Sequence, residues 1–172
     1  MTATTLRLET PEDVPGIRAV VHAAFGQSAE ADLVDGLRHS GALTLSAIAV
    51  IDNRIVGHVA FSPITIGNTY SALALALAPV AVAPDCQRRG IGTGLINWSL
   101  DECRRLGHAV IIVVGDPAYY RRFGFTPASP FGIECPFPVP AEVFMLLELS
   151  QGAAAGYKGM VRYHPEFDKL SV

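Results

Sequence analysis

Between Pro11 and Gly41 the apolar residues recur every three or four positions; from Gly41 to Ala83 the period changes to two. Leu6 to Leu8 predicts a short opening strand. Val14, Ile17, Val21 and Ala24 form a helical stripe behind Thr10, a predicted N-cap, and Pro11, a first helical residue, with Asp13 placed to close a capping box. Glu30 to Gly41 predicts a second helix with Leu33 and Leu37 on one face, closed by Gly41. Leu43 to Asp52, Arg54 to Ile66 and Ser71 to Ala83 then predict three strands joined by turns at Asp52-Asn53 and Gly67-Asn68, an antiparallel meander. Gly90 to Leu106 predicts a helix with Leu95, Ile96, Leu100 and Cys103 on its apolar face and Gly107 at C′. His108 to Gly115 is β-branched without alternation, as in a strand covered on both faces. A short helix over Pro117 to Phe123, ended by Gly124, precedes late strands at Val143 to Leu149 and Tyr157 to His164. The order is β-α-α-β-β-β-α-β-α-β-β, an α/β domain with a mixed sheet whose central strand–helix–strand is a right-handed crossover between parallel strands.

Composition narrows the possibilities. The 172 residues carry no repeat or low-complexity linker, so residues 1–172 are expected to be one domain. Half are hydrophobic and 17% are charged, which argues for a packed core and against disorder. A net charge of −3 offers no basic face and argues against nucleic-acid binding. The first ten residues lack the apolar segment of a signal peptide. The longest apolar run, Ala72 to Ala83, contains Pro79 and is too short to span a bilayer, so no membrane association and a cytoplasmic setting are expected. Cys86, Cys103 and Cys135 show no paired spacing, and no two histidines stand at ligand spacing, so neither a disulfide framework nor a metal site is expected.

One stretch carries chemistry: an apolar strand runs into Gln87-Arg88-Arg89-Gly90-Ile91-Gly92-Thr93-Gly94 and on into a helix. The first amides of a helix lack intrahelical acceptors and the helix dipole is positive there, so such a start attracts anions. Glycines allow a ligand close to the backbone, and guanidinium groups suit phosphate oxygens. The expected ligand group is a pyrophosphate. A P-loop would need Gly-Lys-Ser/Thr, which is absent, and a dinucleotide fingerprint would need a third glycine where Leu95 stands. Asp116, after the next strand, keeps the dinucleotide alternative open.

Gln-x-x-Gly-x-Gly after Val82-Ala83-Pro84 resembles the acyl-CoA-binding motif of the GNAT superfamily of N-acetyltransferases, and Tyr120-Arg121-Arg122-Phe123-Gly124-Phe125 is similar to a second motif of that superfamily. The order of elements agrees over nearly the whole chain. The stretches 115–125 and 162–167 look like a bacterial subgroup of these acetyltransferases. The resemblance implies a GNAT-like α/β fold: a mixed, mostly antiparallel sheet with a splayed central pair of parallel strands, flanked by helices. It also implies acetyl-CoA as co-substrate, with its pyrophosphate on the loop from Gln87, Arg88, Arg89, Gly90, Ile91 and Gly92 to Thr93. The pantetheine arm would lie along Ala81, Val82 and Ala83. Pro79 fits a break between the splayed strands, although an ordinary edge or bulge proline explains it equally.

Acyl transfer needs a neutral amine, donors for the oxyanion and a proton for the departing thiolate. A backbone N–H near Val82 is the expected oxyanion donor. Tyr120 is the candidate acid by its place in the second motif, with Tyr119 expected to be the packing residue. The strand before the loop carries no acid or histidine. His58, Asp116 and Glu30 are each better explained structurally, as a core histidine, a helix N-cap and a solvated acid, and no base is assigned. Cys86 is expected to be an exposed thiol, whereas Cys103 and Cys135 are expected to be buried. The first two helices and Ser129 to Pro140 are the expected acceptor wall, and a homodimer is expected by resemblance. The leading function is acetyl transfer to a primary amine of a small molecule or peptide; a non-catalytic acyl-CoA-binding module and a dinucleotide oxidoreductase are the alternatives.

Overall fold

The computed structural model describes residues 3–69 and 73–170 of the chain. They fall into two compact units. Unit one comprises Met1–Ser62, Ala78–Asp101 and Pro165–Ser171; unit two is built from Pro63–Leu77 and Glu102–His164.

In unit one, β1 (Thr5–Leu8) pairs antiparallel with β2 (Leu45–Ile51), and β2 with β3 (Arg54–Pro63). The hairpin turn is the predicted one: Asp52 and Asn53 both have positive φ, 49° and 61°, as a type I′ turn demands. Beyond β3 lies the second half of β5 (Ala74–Val82), where the Ala83 N–H donates to the Val56 carbonyl at 2.8 Å. A 3-10 turn, Pro11–Asp13, leads into α1 (Val14–Phe25). The predicted capping carboxylate is in place, since Asp13 accepts from the Thr10 N–H at 2.7 Å and from the Thr10 hydroxyl at 3.0 Å. Helix α1 buries Ile17, Val20 and Val21, while Val14 and Ala24 of the predicted stripe are only half-buried. Helix α2 (Ala29–His39) buries Ala31, Leu33, Val34 and Leu37, and Arg18 ties α1 to it through Asp32 at 2.8 Å and Asp35 at 2.7 Å. Helix α3 (Ile91–Arg105) packs Ile91 and Leu95 over Gly57 of β3.

In unit two, the first half of β5 pairs parallel with β6 (Val110–Val114), and β6 pairs antiparallel with β9 (Phe144–Glu148), which carries β7 (Thr126–Pro127) on its far side. The parallel ladder covers only Ala74–Ala76 against Val110–Ile112, although both strands run on, as expected of a pair that splays. Val110 to Val113 are buried, in keeping with a strand covered on both faces. The last turn of α3 closes at Gly107, where the His108 N–H reaches back to the Cys103 carbonyl at 3.1 Å. Helix α4 (Pro117–Tyr120) continues into a 3-10 turn, Arg121–Phe123, that ends at Gly124.

The structure corrects the reading of residues 54–66 as one strand. Pro63 cannot donate to a ladder, and β3 ends there. Thr65–Ile66 is a separate strand, β4, in a second sheet ordered β4-β10-β8, with β10 at Gly159–Arg162 and β8 at Ile133–Glu134. The turn at Gly67-Asn68 does form, with the Thr69 N–H on the Ile66 carbonyl at 3.0 Å, but it follows β4 and is not a hairpin within a regular meander. Ser71 and Ala72, the predicted start of β5, lie outside the described residues. Strands β7 and β8 are two residues each, too short to show a period. In unit two Ile64, Ile66, Ile112, Phe144, Leu146 and Val161 are all buried in a common core cluster.

The fold is the expected mixed, mostly antiparallel α/β arrangement, with parallel pairing of β5 with β6 and of β8 with β10. Gly57 exposes how tightly α3 sits on β3: a Cβ there would stand 3.3 Å from Ala49 Cβ and Ile91 Cγ2 and 3.4 Å from Leu95 Cδ2. The two further methyls of valine have no room, so Gly57→Val should lower stability by about 1–3 kcal/mol, measured as a drop in the urea midpoint.

Candidate functional site

Hydrogen bonds within unit one pin the chain between β5 and α3 at several points. The Cys86 N–H closes the 3-10 turn Pro84–Cys86 on the Ala83 carbonyl at 2.8 Å. The Gln87 side-chain amide donates to the Val82 carbonyl at 3.1 Å. Arg88 then takes a left-handed φ of 63° and Gly90 one of 80°, and the Gly94 N–H on the Gly90 carbonyl at 3.0 Å begins the helical ladder. Ile91 and Gly92 therefore present their amides at a helix start with no intrahelical acceptor. Gln87, Arg88, Arg89 and Gly90 are exposed, and Gly92 and Thr93 half-buried. A Cβ at Gly90 or Gly94 would meet nothing within 4 Å. Dipole, amides, two arginines and open space on the glycine side together suit a phosphate group.

Two features sharpen the sequence reading. The Ala83 N–H is already given to Val56, so it is not open to an extended ligand along Ala81, Val82 and Ala83. Cys86, expected to be exposed, is buried at 6% exposure, because the 3-10 turn folds its side chain inward. Its Sγ lies 3.9 Å from Nη1 of Arg54, the first residue of β3. That arginine forks onto Asp85 through two bonds of 2.8 Å.

In unit two, Asp116 caps α4 by accepting from the Ala118 N–H at 2.9 Å, the structural role expected of it. Tyr120 is buried, with Tyr119 edge-on at 5.1 Å between ring centroids and Phe125 at 5.7 Å. Gly115 is required beside it, since a Cβ there would collide with the Tyr120 ring. Burial, with a smaller contribution from Tyr119, pushes the Tyr120 phenol up to about 12. The expectation that Tyr119 is the packing residue is thus inverted in part: Tyr120 is the more buried ring, and Tyr119 is half-buried with the Arg122 guanidinium 4.5 Å over its face. The segment Ser129 to Pro140 frames a cavity of about 350 Å³ lined by Ile133, Glu134, Cys135, Phe137, Val139 and Phe144. Cys103 is buried as expected, whereas Cys135 is half-buried.

His58, in unit one, is fully buried and belongs to a chain of polar groups that sequence reasoning missed. Its Nε2 lies 2.8 Å from the Ser46 hydroxyl, which itself bonds to Glu9; Glu9 is forked by Arg38 at 2.8 and 2.9 Å. Burial opposes ionisation of Glu9, but the Arg38 and Ser46 hydrogen bonds outweigh it and hold the carboxyl below its usual range. An ionised Glu9 can only accept, so Ser46 spends its proton there and must accept from His58. The imidazole therefore carries its hydrogen on Nε2, and Nδ1 is a bare acceptor, buried without a partner. The available signal was Ser46 alone, a polar residue at an inward position of an otherwise apolar strand. Glu30 is half-buried and accepts from Gln27 at 2.9 Å, in keeping with a surface acid.

Among the described residues no group of three side chains could hold a metal ion, and no helix is long and apolar enough to cross a membrane. The profile of the Acetyltransferase (GNAT) domain matches residues 5–128. The N-acetyltransferase YhbS of Escherichia coli strain K12 is 36% identical over 166 residues, 96% of this chain and 99% of that protein. The crystal structure of Escherichia coli YhbS in complex with CoA superposes with a TM-score of 0.95 at 34% identity, covering all of this chain and 96% of that one. A GNAT family acetyltransferase from Brucella melitensis, crystallised with acetyl-CoA, gives 0.82 at 36% identity over 96% of this chain and 99% of its own.

The buried imidazole makes stability depend on pH. Desolvation, countered in part by Glu9 and reinforced by Arg38, brings His58 down from 6.5 to about 4. Between those values the unfolded chain binds a proton that the folded chain does not, so stability is fully present above pH 6.5 and is lost as pH falls toward 4. The loss should be about 3 kcal/mol. Urea denaturation at pH 7 and pH 4.5 should show it, and His58→Asn should flatten that difference.

Proposed function

Because the chain belongs to the GNAT acetyltransferases, we propose that it moves an acetyl group from acetyl-CoA to a primary amine by direct attack on the thioester. The observation that carries this reading is the pinned β5–α3 loop, whose open glycine side, free amides and exposed Arg88 and Arg89 suit a pyrophosphate. The relatives crystallised with CoA and acetyl-CoA support it. Residues 1–172 form a single catalytic domain in this proposal, and the unpaired thiols Cys86, Cys103 and Cys135 suit a cytoplasmic setting. The homodimer rests on resemblance alone, and sedimentation would test it.

The residues divide the work. Gln87 to Thr93 hold the diphosphate, while the Ala81 and Val82 backbone orients the pantetheine arm and offers an N–H to the carbonyl oxygen as it gains charge. Attack of the neutral amine forms the C–N bond; collapse of the tetrahedral intermediate breaks the C–S bond and releases a thiolate. Tyr120 is the proposed donor to that sulfur. Held at about 12, its phenol stays protonated at neutral pH. Full transfer to a thiol of ordinary acidity, near 8.5, is uphill, so its contribution is a hydrogen bond that strengthens as the sulfur gains charge. The amine's proton leaves through water, since β5 carries no acid or histidine. That same absence favours a second reading, a module that binds acyl-CoA without turnover.

Gly92→Val should weaken CoA binding at least tenfold by calorimetry with the fold intact, because a branched side chain would occupy the approach to the helix amides. Unchanged affinity would remove the loop from the proposal.

Tyr120→Phe keeps the ring packing and deletes the phenolic proton. Acetyl-CoA affinity should hold, while kcat and kcat/KM fall together by roughly 10²-fold, as for a contact made only in the transition state. Tyr119→Phe should be nearly silent. A panel of amines and short peptides supplies the acceptor, and full turnover by Tyr120→Phe would leave the tyrosine as packing only. Binding without turnover on any acceptor would favour the second reading.

A further inference from the structure

The phosphate loop contains one acid. Between Val80 and Thr93, Asp85 is the only carboxylate, four residues before Arg89, in a loop otherwise fitted to anions. Unpaired, it would repel a diphosphate and offer the neighbouring guanidinium groups a competing partner. It is not unpaired. Arg54, held at the start of β3 by the type I′ turn, reaches it with both terminal nitrogens, Nη1 to Oδ2 and Nη2 to Oδ1, each at 2.8 Å. The same guanidinium borders Cys86.

We propose that Arg54 is a positioning residue for the phosphate loop: it occupies the Asp85 carboxylate, so that Arg88 and Arg89 remain available to the phosphates of CoA. The inference rests on the acyl-CoA reading above and extends it to a residue on a different hairpin. Three observations carry it.

Geometry comes first: the fork is two-point, with each carboxylate oxygen taken by its own guanidinium nitrogen. The second is the rival cation. The Arg54 hydrogen bonds hold the Asp85 carboxyl at about 2, and Arg89 lowers it further through space, so Arg89 is already within the field of that carboxylate. Remove Arg54, and Arg89, already in the field of that carboxylate, is the replacement; an arginine turned back onto Asp85 is lost to the ligand. The third is exposure. Both partners are more than half exposed, at 55% and 64% of their side-chain area, and an exposed pair contributes little to global stability. The value of the pair is therefore local, in the charge that the loop presents.

The test needs only CoA and the full-length chain, with affinity read by calorimetry at low and high salt. Arg54→Ala should weaken CoA binding roughly fivefold at low ionic strength, the upper end for one exposed charge pair. The gap should narrow at high salt, where screening reduces every charge involved. Thermal midpoints should be unchanged. Arg54→Ala combined with Asp85→Asn should return to within about twofold of wild type, because the acid that needed neutralising is gone. A purely structural role would show no such rescue. Unchanged affinity in Arg54→Ala overturns the proposal. A double variant as weak as the single also overturns it, since Arg54 would then touch the ligand itself or hold the hairpin in shape. A wild-type chain that fails to bind CoA sinks the acyl-CoA reading and the clamp with it, whereas wild-type binding with no Arg54 effect sinks the clamp alone.

Discussion

A helix that starts at the end of a buried strand leaves its first amides without acceptors, and the chain must hold them outward against its tendency to satisfy them locally. The connection from β5 to α3 meets that constraint by anchoring polar groups on either side of the helix start. The Ala83 amide goes to β3, the Cys86 amide to the 3-10 turn and the Gln87 side chain to the Val82 carbonyl. The left-handed backbone at Arg88 and Gly90 then swings the chain into the helix. Behind it, Ile91 and Leu95 lock the first turns of α3 over Gly57, so the amides at its start sit on a support without slack. Preorganisation of this kind costs nothing at the moment of binding, because no group has to be released before a phosphate can be received.

Polar groups inside unit one follow the same economy. His58 is buried in a mostly apolar sheet, and its one satisfied nitrogen is the end of a chain running through Ser46 and Glu9 to Arg38 and Asp35. The direction of that chain is dictated at Glu9: a carboxylate accepts, and each hydroxyl or ring N–H before it must orient accordingly. The outcome is a neutral imidazole of fixed tautomer. Such a group is a poor base at neutral pH, and the reading of His58 as a core residue agrees with it.

Tyr120 shows how one motif serves packing and chemistry together. Gly115 leaves room for its ring, Asp116 starts the short helix that carries it, and Phe123 and Phe125 flank it. The aromatic surroundings that fix the ring are also what raise its phenol, because burial disfavours the phenolate. A side chain so placed gives up acidity in exchange for a proton that is always present and a direction that does not vary.

Local patterns were legible without any structure. The helical stripe of α1, the Asp52-Asn53 turn, the closure of α3 at Gly107 and the glycine loop are decided by residues within one turn or one strand of each other, where φ preference and period act directly. The two motifs that resemble those of the acetyltransferases are of this local kind. What remained hidden joins distant positions. Arg54 and Asp85 stand 31 residues apart, Glu9 and Ser46 are separated by 37, and neither pair has a sequence signature, since any exposed arginine or acid looks alike until strand register brings one to the other. The same holds for Cys86, whose burial depends on a 3-10 turn folding inward, and for Thr65-Ile66, which alternate like a continuation of β3 yet pair with β10. The sequence determined which segments become helices, strands and the anion-facing loop, because those depend on neighbours along the chain. The tertiary structure decided which charges meet and which polar atoms go unpaired, because register and packing, not local preference, set the distances between them.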